Sequence, residues 1–257
     1  MKKRMTLAFI FFYCLTTAST SMSADKTLTL AAQPASYEMK GSLAFHEALI
    51  RAAFAQVDYK VKFVYKPWKR VLLEVKNGLL DGAYTAWYDE DRSRIYEYSD
   101  AYFYEDVFFF KRLGSSISYK GDLRALKQYT IGVPLGWIIN NEFDSADYLT
   151  VHEVVHTVQL LKMLNSNRID LMVTSEAVLS SVIHAYPKIE NLAVKIIPKL
   201  KRHSDHVIFS KIDSGYKSKR DTFNEGLRNI KLNGVLRKLE QEFQISSGLL
   251  RNDLVPN

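Results

Sequence analysis

"KPWKRVLLEVKNGLLDG", residues 66 to 82, sets a helix directly before a strand. Pro67 stands where the first turn of a helix tolerates a missing N–H, and Trp68, Val71, Leu72, Val75 and Leu79 recur at helical spacing. The segment therefore reads as an amphipathic helix with one apolar face, stopped by Gly78 and followed by a strand that opens at Asp81. Outward toward the amino terminus, Val61 to Lys66 reads as a strand. Ser42 to Gln56 carries Leu43, Leu49 and Ala53 at helical spacing, with Phe45 and Phe54 beside them, and Thr27 to Ala32 alternates like an opening strand. Strand, helix, strand, helix, strand is the pattern of an α/β fold with parallel strands.

Toward the carboxyl terminus, "YEDVFFFKRL" (104 to 113) and "HSDHVIFSKI" (203 to 212) resemble each other, each a β-prone apolar core flanked by charge. Between them the pattern predicts a second α/β unit: a strand at Tyr129 to Val133, a helix from about Val151 to Leu164 and a strand at Ile169 to Thr174. A helix from Ser175 to Ala185 and a strand at Leu192 to Ile197 complete it. Two helical stretches, "DTFNEGLRNIKLNG" and "VLRKLEQEF", end the chain. The two charged-flank segments are thus expected to cross between lobes. Residues 25–108 with 206–257 form lobe 1, residues 109–205 form lobe 2, and no Pro- or Ser-rich tether joins them.

The chain starts with Lys2, Lys3 and Arg4, then the apolar run Met5 to Leu15, then small polar residues up to Ala24. This is the layout of a cleaved secretory signal, expected over residues 1–24, and its apolar run is far short of the roughly 18 to 20 residues that span a bilayer. Cys14, the only cysteine, lies inside that run, so the exported chain would carry no disulfide, zinc–thiolate site or cysteine nucleophile. The formal charge is +7, less three for Lys2, Lys3 and Arg4 on cleavage, and it is spread too evenly to argue for nucleic acid.

With two α/β units and two crossing strands in view, four stretches resemble the bacterial extracellular solute-binding proteins of family 3. They are "PWKRVLLEVKNGLLDG", "DRSRIYEYSDAY" (with Ala101 where the family has proline), "LLKMLNSNRIDLMVTSE" and "FNEGLRNIKLNGVLRKLEQEF". The resemblance implies a two-lobed type II periplasmic binding fold, each lobe a mainly parallel sheet flanked by helices, closing over a small molecule. It implies a periplasmic binding protein rather than an enzyme, monomeric and without a cofactor. Such a protein would capture an amino acid or related carboxylate for a membrane permease or a sensor.

The resemblance also nominates the site. Arg92, seven residues before Ser99, is the carboxylate clamp, a role suited to a planar fork of donors that stays charged; its alternative is a surface pair with Asp89, Glu90, Asp91 or Glu97. Trp68 and Tyr37 are the aromatics that would face the ligand, and Thr85 would be a donor. Trp87 and Tyr88 add bulk where the family is small. In lobe 2 the anion-binding loop reads Gly136-Trp137-Ile138, and the acid that would receive an α-ammonium is replaced by Ser175, so either the following Glu176 takes over that role or the ligand lacks an α-ammonium group.

Two enzymatic alternatives stand beside the binder. One is a lyase on the same scaffold, similar to the cyclohexadienyl dehydratases, with Glu176 moving the proton. The other is a zinc peptidase, because "HEVVH" (152 to 156) matches the signature in which two histidines one helical turn apart bind the metal. Against it, "TVHE" from Thr150 reads as a capping box that puts His152 and His156 in the first turn of an ordinary helix, with Val151 and Val154 facing inward.

Overall fold

The computed structural model describes residues 26–34 and 43–244; the expected signal over residues 1–24 and Tyr37 lie outside them. In lobe 1 the chain runs β1 (Lys26–Ala32), α1 (Ala44–Ala55), β2 (Tyr59–Tyr65), α2 (Trp68–Lys76) and β3 (Gly82–Trp87). The short α3 (Glu90–Ser93) and β4 (Tyr96–Tyr98) follow. Strand β1 is central, parallel to β2 along its whole length and to β3 at Leu30↔Gly82. Alternation then sorts its side chains. Leu28, Leu30 and Ala32 join α1 on one face, and Ala31 joins Trp68, Val71 and Val75 of α2 on the other. The apolar face of α2 is shorter than the sequence implied. Gly78, at φ +71°, turns the chain first, so Leu79 is exposed and Leu80 takes the buried place.

Two long strands cross between the lobes: β5 (Phe103–Arg112) and β10 (Lys201–Ser210), antiparallel from Lys201↔Val107 to Asp205↔Phe103. Lobe 2 is β6 (Thr130–Pro134), α4 (Asn141–Asp144), β7 (Thr150–Val154), α5 (Thr157–Asn165), β8 (Leu171–Ser175), α6 (Glu176–Ala185) and β9 (Ala193–Lys195). The sheet order β2-β1-β3-β10-β5-β8-β6-β7 passes through both lobes. Strand β10 lies against β3 on the lobe 1 side, and β5 against β8 on the lobe 2 side. Two packed clusters fill lobe 2, one around Phe109, Ile131 and Leu171 and the other around Phe110, Leu160 and Met172. Both alternate faces of β5 and β8 are therefore covered.

The carboxyl-terminal α7 (Tyr216–Leu232) and α8 (Val235–Glu242) return to pack on α1 in lobe 1. Helix α7 approaches so closely at Gly226 that a Cβ there would lie 2.0 Å from the carbonyl oxygen of Ala53. No helix among the described residues is long and apolar enough to cross a membrane.

The expected helix from Val151 is corrected. Thr150 to Val154 form strand β7, paired in parallel with β6 from Thr130↔Thr150 to Pro134↔Val154, and the helix begins only at Thr157. The β-branched run Thr150, Val151, Val154, Val155 suits a pleated edge better than a helix. Residue His156, not Thr150, precedes the first turn, and its N–H donates to Gln159 Oε1 at 3.1 Å. Val151, expected inward, is 41% exposed. His152 sits on a strand and His156 at a helix start, so the two do not share a helix face. Among the described residues, no three His, Cys, Asp or Glu side chains are grouped to hold a metal ion.

Candidate functional site

The carboxyl ends of the parallel strands in both lobes converge on one cavity of about 110 Å³, the place where open α/β sheets present ligand sites. Its size is of the order that encloses one small molecule. Lobe 1 contributes Gln33 after β1, Trp68 at the start of α2, Thr85 and Trp87 of β3, and Arg92 of α3. Lobe 2 contributes Trp137 after β6, Thr157 at the start of α5, and Val178 of α6. Phe103, Glu105 and Asp205 on the two crossing strands form the floor. All three side chains share one face of the β5/β10 ladder, because Asp205 pairs with Phe103 and Glu105 with His203.

Of the residues nominated from sequence, Trp68, Thr85, Trp87, Arg92 and Trp137 thus line the cavity. Four others do not. Tyr88 faces an outer groove against the Tyr98 ring, 5.2 Å away, and is 54% exposed. Gly136 is hydrogen-bonded on both sides, its N–H to Glu153 Oε1 at 3.2 Å and its carbonyl to Arg92. Ser175 caps α6 by accepting the Val178 N–H at 3.2 Å. Glu176 points away to an ion pair with Lys195 at 2.6 Å. The lyase alternative therefore loses its carboxylate from the cavity.

Arg92 is positioned by its own backbone: Asp89 caps α3, accepting the Arg92 N–H at 2.8 Å, and the short helix aims the guanidinium into the cleft. There one Nη2–H donates to the Gly136 carbonyl at 2.9 Å. Among the described residues no carboxylate lies within ion-pair distance of it; Asp91 pairs with Arg94 instead, at 3.4 Å. Burial lowers the guanidinium pKa, and the nearby Tyr98 and Asp89 partly oppose that. The result is a half-buried cation with spare donors facing the cavity.

The lobes touch across the cavity. Gln33 donates from Nε2 to the Val155 carbonyl at 2.6 Å while its Oε1 accepts the Trp68 N–H, and the Trp87 and Trp137 rings meet edge to face at 4.5 Å. Thr85 sits at φ +55° in a β-bulge where β3 carries one extra residue against β10. A β-branched residue there is strained, a cost of order 1–3 kcal/mol that tends to mark functional rims. Both Thr85 donors are committed, the hydroxyl to Tyr84 O at 2.7 Å and the N–H to Tyr102 Oη at 3.0 Å. It therefore offers a ligand lone pairs rather than the donor that its position in the sequence implied.

The sequence reading passed over Gln33, His46, Glu105 and Asp205, all on the cavity wall. Glu105 accepts the Trp87 Nε1–H at 3.0 Å and the Ser175 hydroxyl, yet burial raises its pKa. Asp205 is 1% exposed and held well above the ordinary carboxylate range by burial and by Glu105. As diagonal neighbours on the ladder, each of the two carboxylates opposes ionisation of the other. Burial also lowers His46 and His203 to about 4, keeping both neutral, with His203 stacked on Trp87 at 3.9 Å and 9°. The only sequence signal was a charge inside each crossing segment, in "YED" and "HSD", which read as solvated flanks.

The family model for bacterial extracellular solute-binding proteins, family 3, matches residues 31–245, and the chain belongs to that family. No curated protein matches in sequence. Solved structures similar in fold include the substrate-binding protein of an amino acid ABC transporter (17% identity, TM-score 0.70, covering 84% of this chain and 98% of that one). Another is the arginine-, lysine-, histidine-binding protein ArtJ from Geobacillus stearothermophilus (19%, TM-score 0.69, 84% and 94%). A third is a histidine kinase sensor domain with similarity to periplasmic binding proteins (15%, TM-score 0.73, 88% and 98%). At such identities the likeness carries the fold alone.

Proposed function

We propose that this chain is exported to the periplasm by a signal cleaved near Ala24, and there binds a small carboxylate-bearing molecule, an amino acid or related organic acid. It acts as a monomeric binder, not a catalyst, and passes the ligand to a membrane transporter or a sensor. The observation that carries the reading is Arg92: a desolvated guanidinium on the wall of an aromatic cleft, with no carboxylate of the described chain within ion-pair distance. A ligand carboxylate supplies the missing anion in the bidentate geometry that guanidinium favours. Trp68, Trp87 and Trp137 add flat apolar surface against which the rest of a small ligand packs.

The lobe boundary falls within the crossing strands, near residues 108 and 205. Strand β10 pairs with β5 up to Asp205 and with β4 from Ile208 on. Bending there opens the jaws, and the Gln33–Val155 and Arg92–Gly136 bonds are those that part. Both a transporter partner and a sensor partner have support from proteins of similar fold.

The test is thermal melting with a panel of common L-amino acids and short organic acids on the wild type, Arg92→Ala and, as a control, the exposed Arg94→Ala. A ligand that raises the Tm of wild type and R94A but not of R92A supports the reading. Equal protection of R92A overturns it.

A further inference from the structure

Resting on the proposed binding function and deepening it, we infer that Glu105 and Asp205 form a subsite for a cationic nitrogen, so the ligand is a zwitterion or carries a second, positive end. The two carboxyls lie as diagonal neighbours on one face of the β5/β10 ladder and both open onto the cavity whose other wall holds Arg92. Oδ1 of Asp205 is buried without a hydrogen-bond partner among the described residues. A buried acceptor left unbonded beside a cavity costs free energy in the empty protein and is satisfied when a donor enters.

Ser175 ties this pair to the second lobe. Its hydroxyl donates to Glu105 on the adjacent strand while accepting from Val178 N–H. The Val107↔Ser175 register brings the two together. Because Glu105 and Asp205 sit on the two strands that bend, a cation held by both also braces the closed state.

The groups packed around the pair leave it as the titrating element. His46 from α1 and His203 from β10 are held neutral down to about 4, and burial raises Tyr102 well out of range. Asp106 is on the opposite face, paired with Lys199 at 3.1 Å and Arg202 at 3.5 Å. Arg92 is the remaining charge, on the opposite wall. Burial raises the pKa of both carboxyls, and a bound ammonium or guanidinium pulls them back down, so binding drives protons from the pair to solvent.

The test is isothermal titration of wild type, Asp205→Asn, Glu105→Gln and Arg92→Ala. The probes are the common L-amino acids and, for each one that binds, the acid lacking its amino group and the amine lacking its carboxylate. Expected for wild type is a preference of tenfold or more for the amino acid over its deaminated acid. About one proton is released per ligand at pH 7, read from heats in buffers of different ionisation enthalpy. In D205N or E105Q the amino acid weakens tenfold or more, the deaminated acid stays within about threefold, and the proton release is lost. Equal binding of amino acid and deaminated acid by wild type, or an unchanged preference in both variants, overturns the subsite and leaves the Arg92 clamp standing. Retained affinity of R92A for the deaminated acid overturns the clamp and leaves the subsite standing, and binding of no probe by wild type overturns both. Should either floor variant fail to fold, Ser175→Ala, which releases Glu105 and also removes the α6 cap, must still lower the preference several-fold.

Discussion

The two walls of the cleft are made differently. On the lobe 1 side Gln33 and His46 come from the end of β1 and from α1, but Trp68, Thr85, Trp87 and Arg92 fall within one stretch of chain, helix start to bulged strand to capped turn. On the lobe 2 side Trp137, Thr157 and Val178 come from three separate strand ends, brought together by the parallel pairing of β6 with β7 and β8. A wall written in consecutive residues is legible from spacing, whereas a wall assembled by register is not. That difference explains why every nominated residue from Trp68 to Arg92 except Tyr88 lines the cavity, while in lobe 2 only Trp137 does.

The contrast can be broken first at the packing that supports each wall. Gly226→Ala drives a Cβ to 2.0 Å from the backbone oxygen of Ala53, which cannot move without separating α7 from α1. A loss of about 3 kcal/mol or more in urea unfolding is expected. Gly132→Ala in lobe 2 meets only the Ile169 and Leu160 methyl tips at 2.6 Å, which can rotate, so a loss of about 1–2 kcal/mol is expected. Equal effects would mean that the two lobes pack alike.

The walls themselves come next. Arg92→Ala is expected to weaken a carboxylate ligand about 100-fold, near 2.7 kcal/mol. Trp137→Ala, which removes flat apolar area, should weaken it about tenfold by the same titration.

Acid separates the floor from the histidines. His46 and His203 have folded pKa values of about 4, below the unfolded value near 6.5. The unfolded chain therefore binds protons first as pH falls from 6.5 to 4, and the stability due to neutral histidine is lost across that window. For Asp205 the folded value is raised, so its contribution is present at low pH and fades as pH rises through that value. His203→Gln should flatten the acid side of a Tm-against-pH curve, and Asp205→Asn should raise Tm more at pH 8 than at pH 4. The smallest effect is expected for Glu176→Gln. This breaks a partly exposed pair with Lys195, and both stability and binding should stay within about 0.5 kcal/mol.

The HEVVH segment carries the same lesson as the walls. Read alone, Thr150 to His156 fits a helix start, and two histidines four apart fit a metal site. Beside β6 an edge of unpaired N–H and C=O groups is available, and five residues of parallel ladder decide for the strand. Glu105 and Asp205 were missed for a related reason. Their charges looked like solvated flanks of apolar strands, and only the pairing of β5 with β10, two segments about a hundred residues apart, turns both toward the cavity.

Legible in the chain before folding were most of the strands and helices outside 150–156, the two crossing segments and the arginine in the α3 turn. Each of these rests on local periodicity, capping and short spacing, which survive in any surroundings. Which acids face the cleft, the bond from Ser175 to Glu105, and the place of Glu176 outside the cavity came only with the packed fold. Those outcomes depend on the register between distant strands. A shift of one residue turns a side chain to the other face, and no short stretch of sequence records that choice.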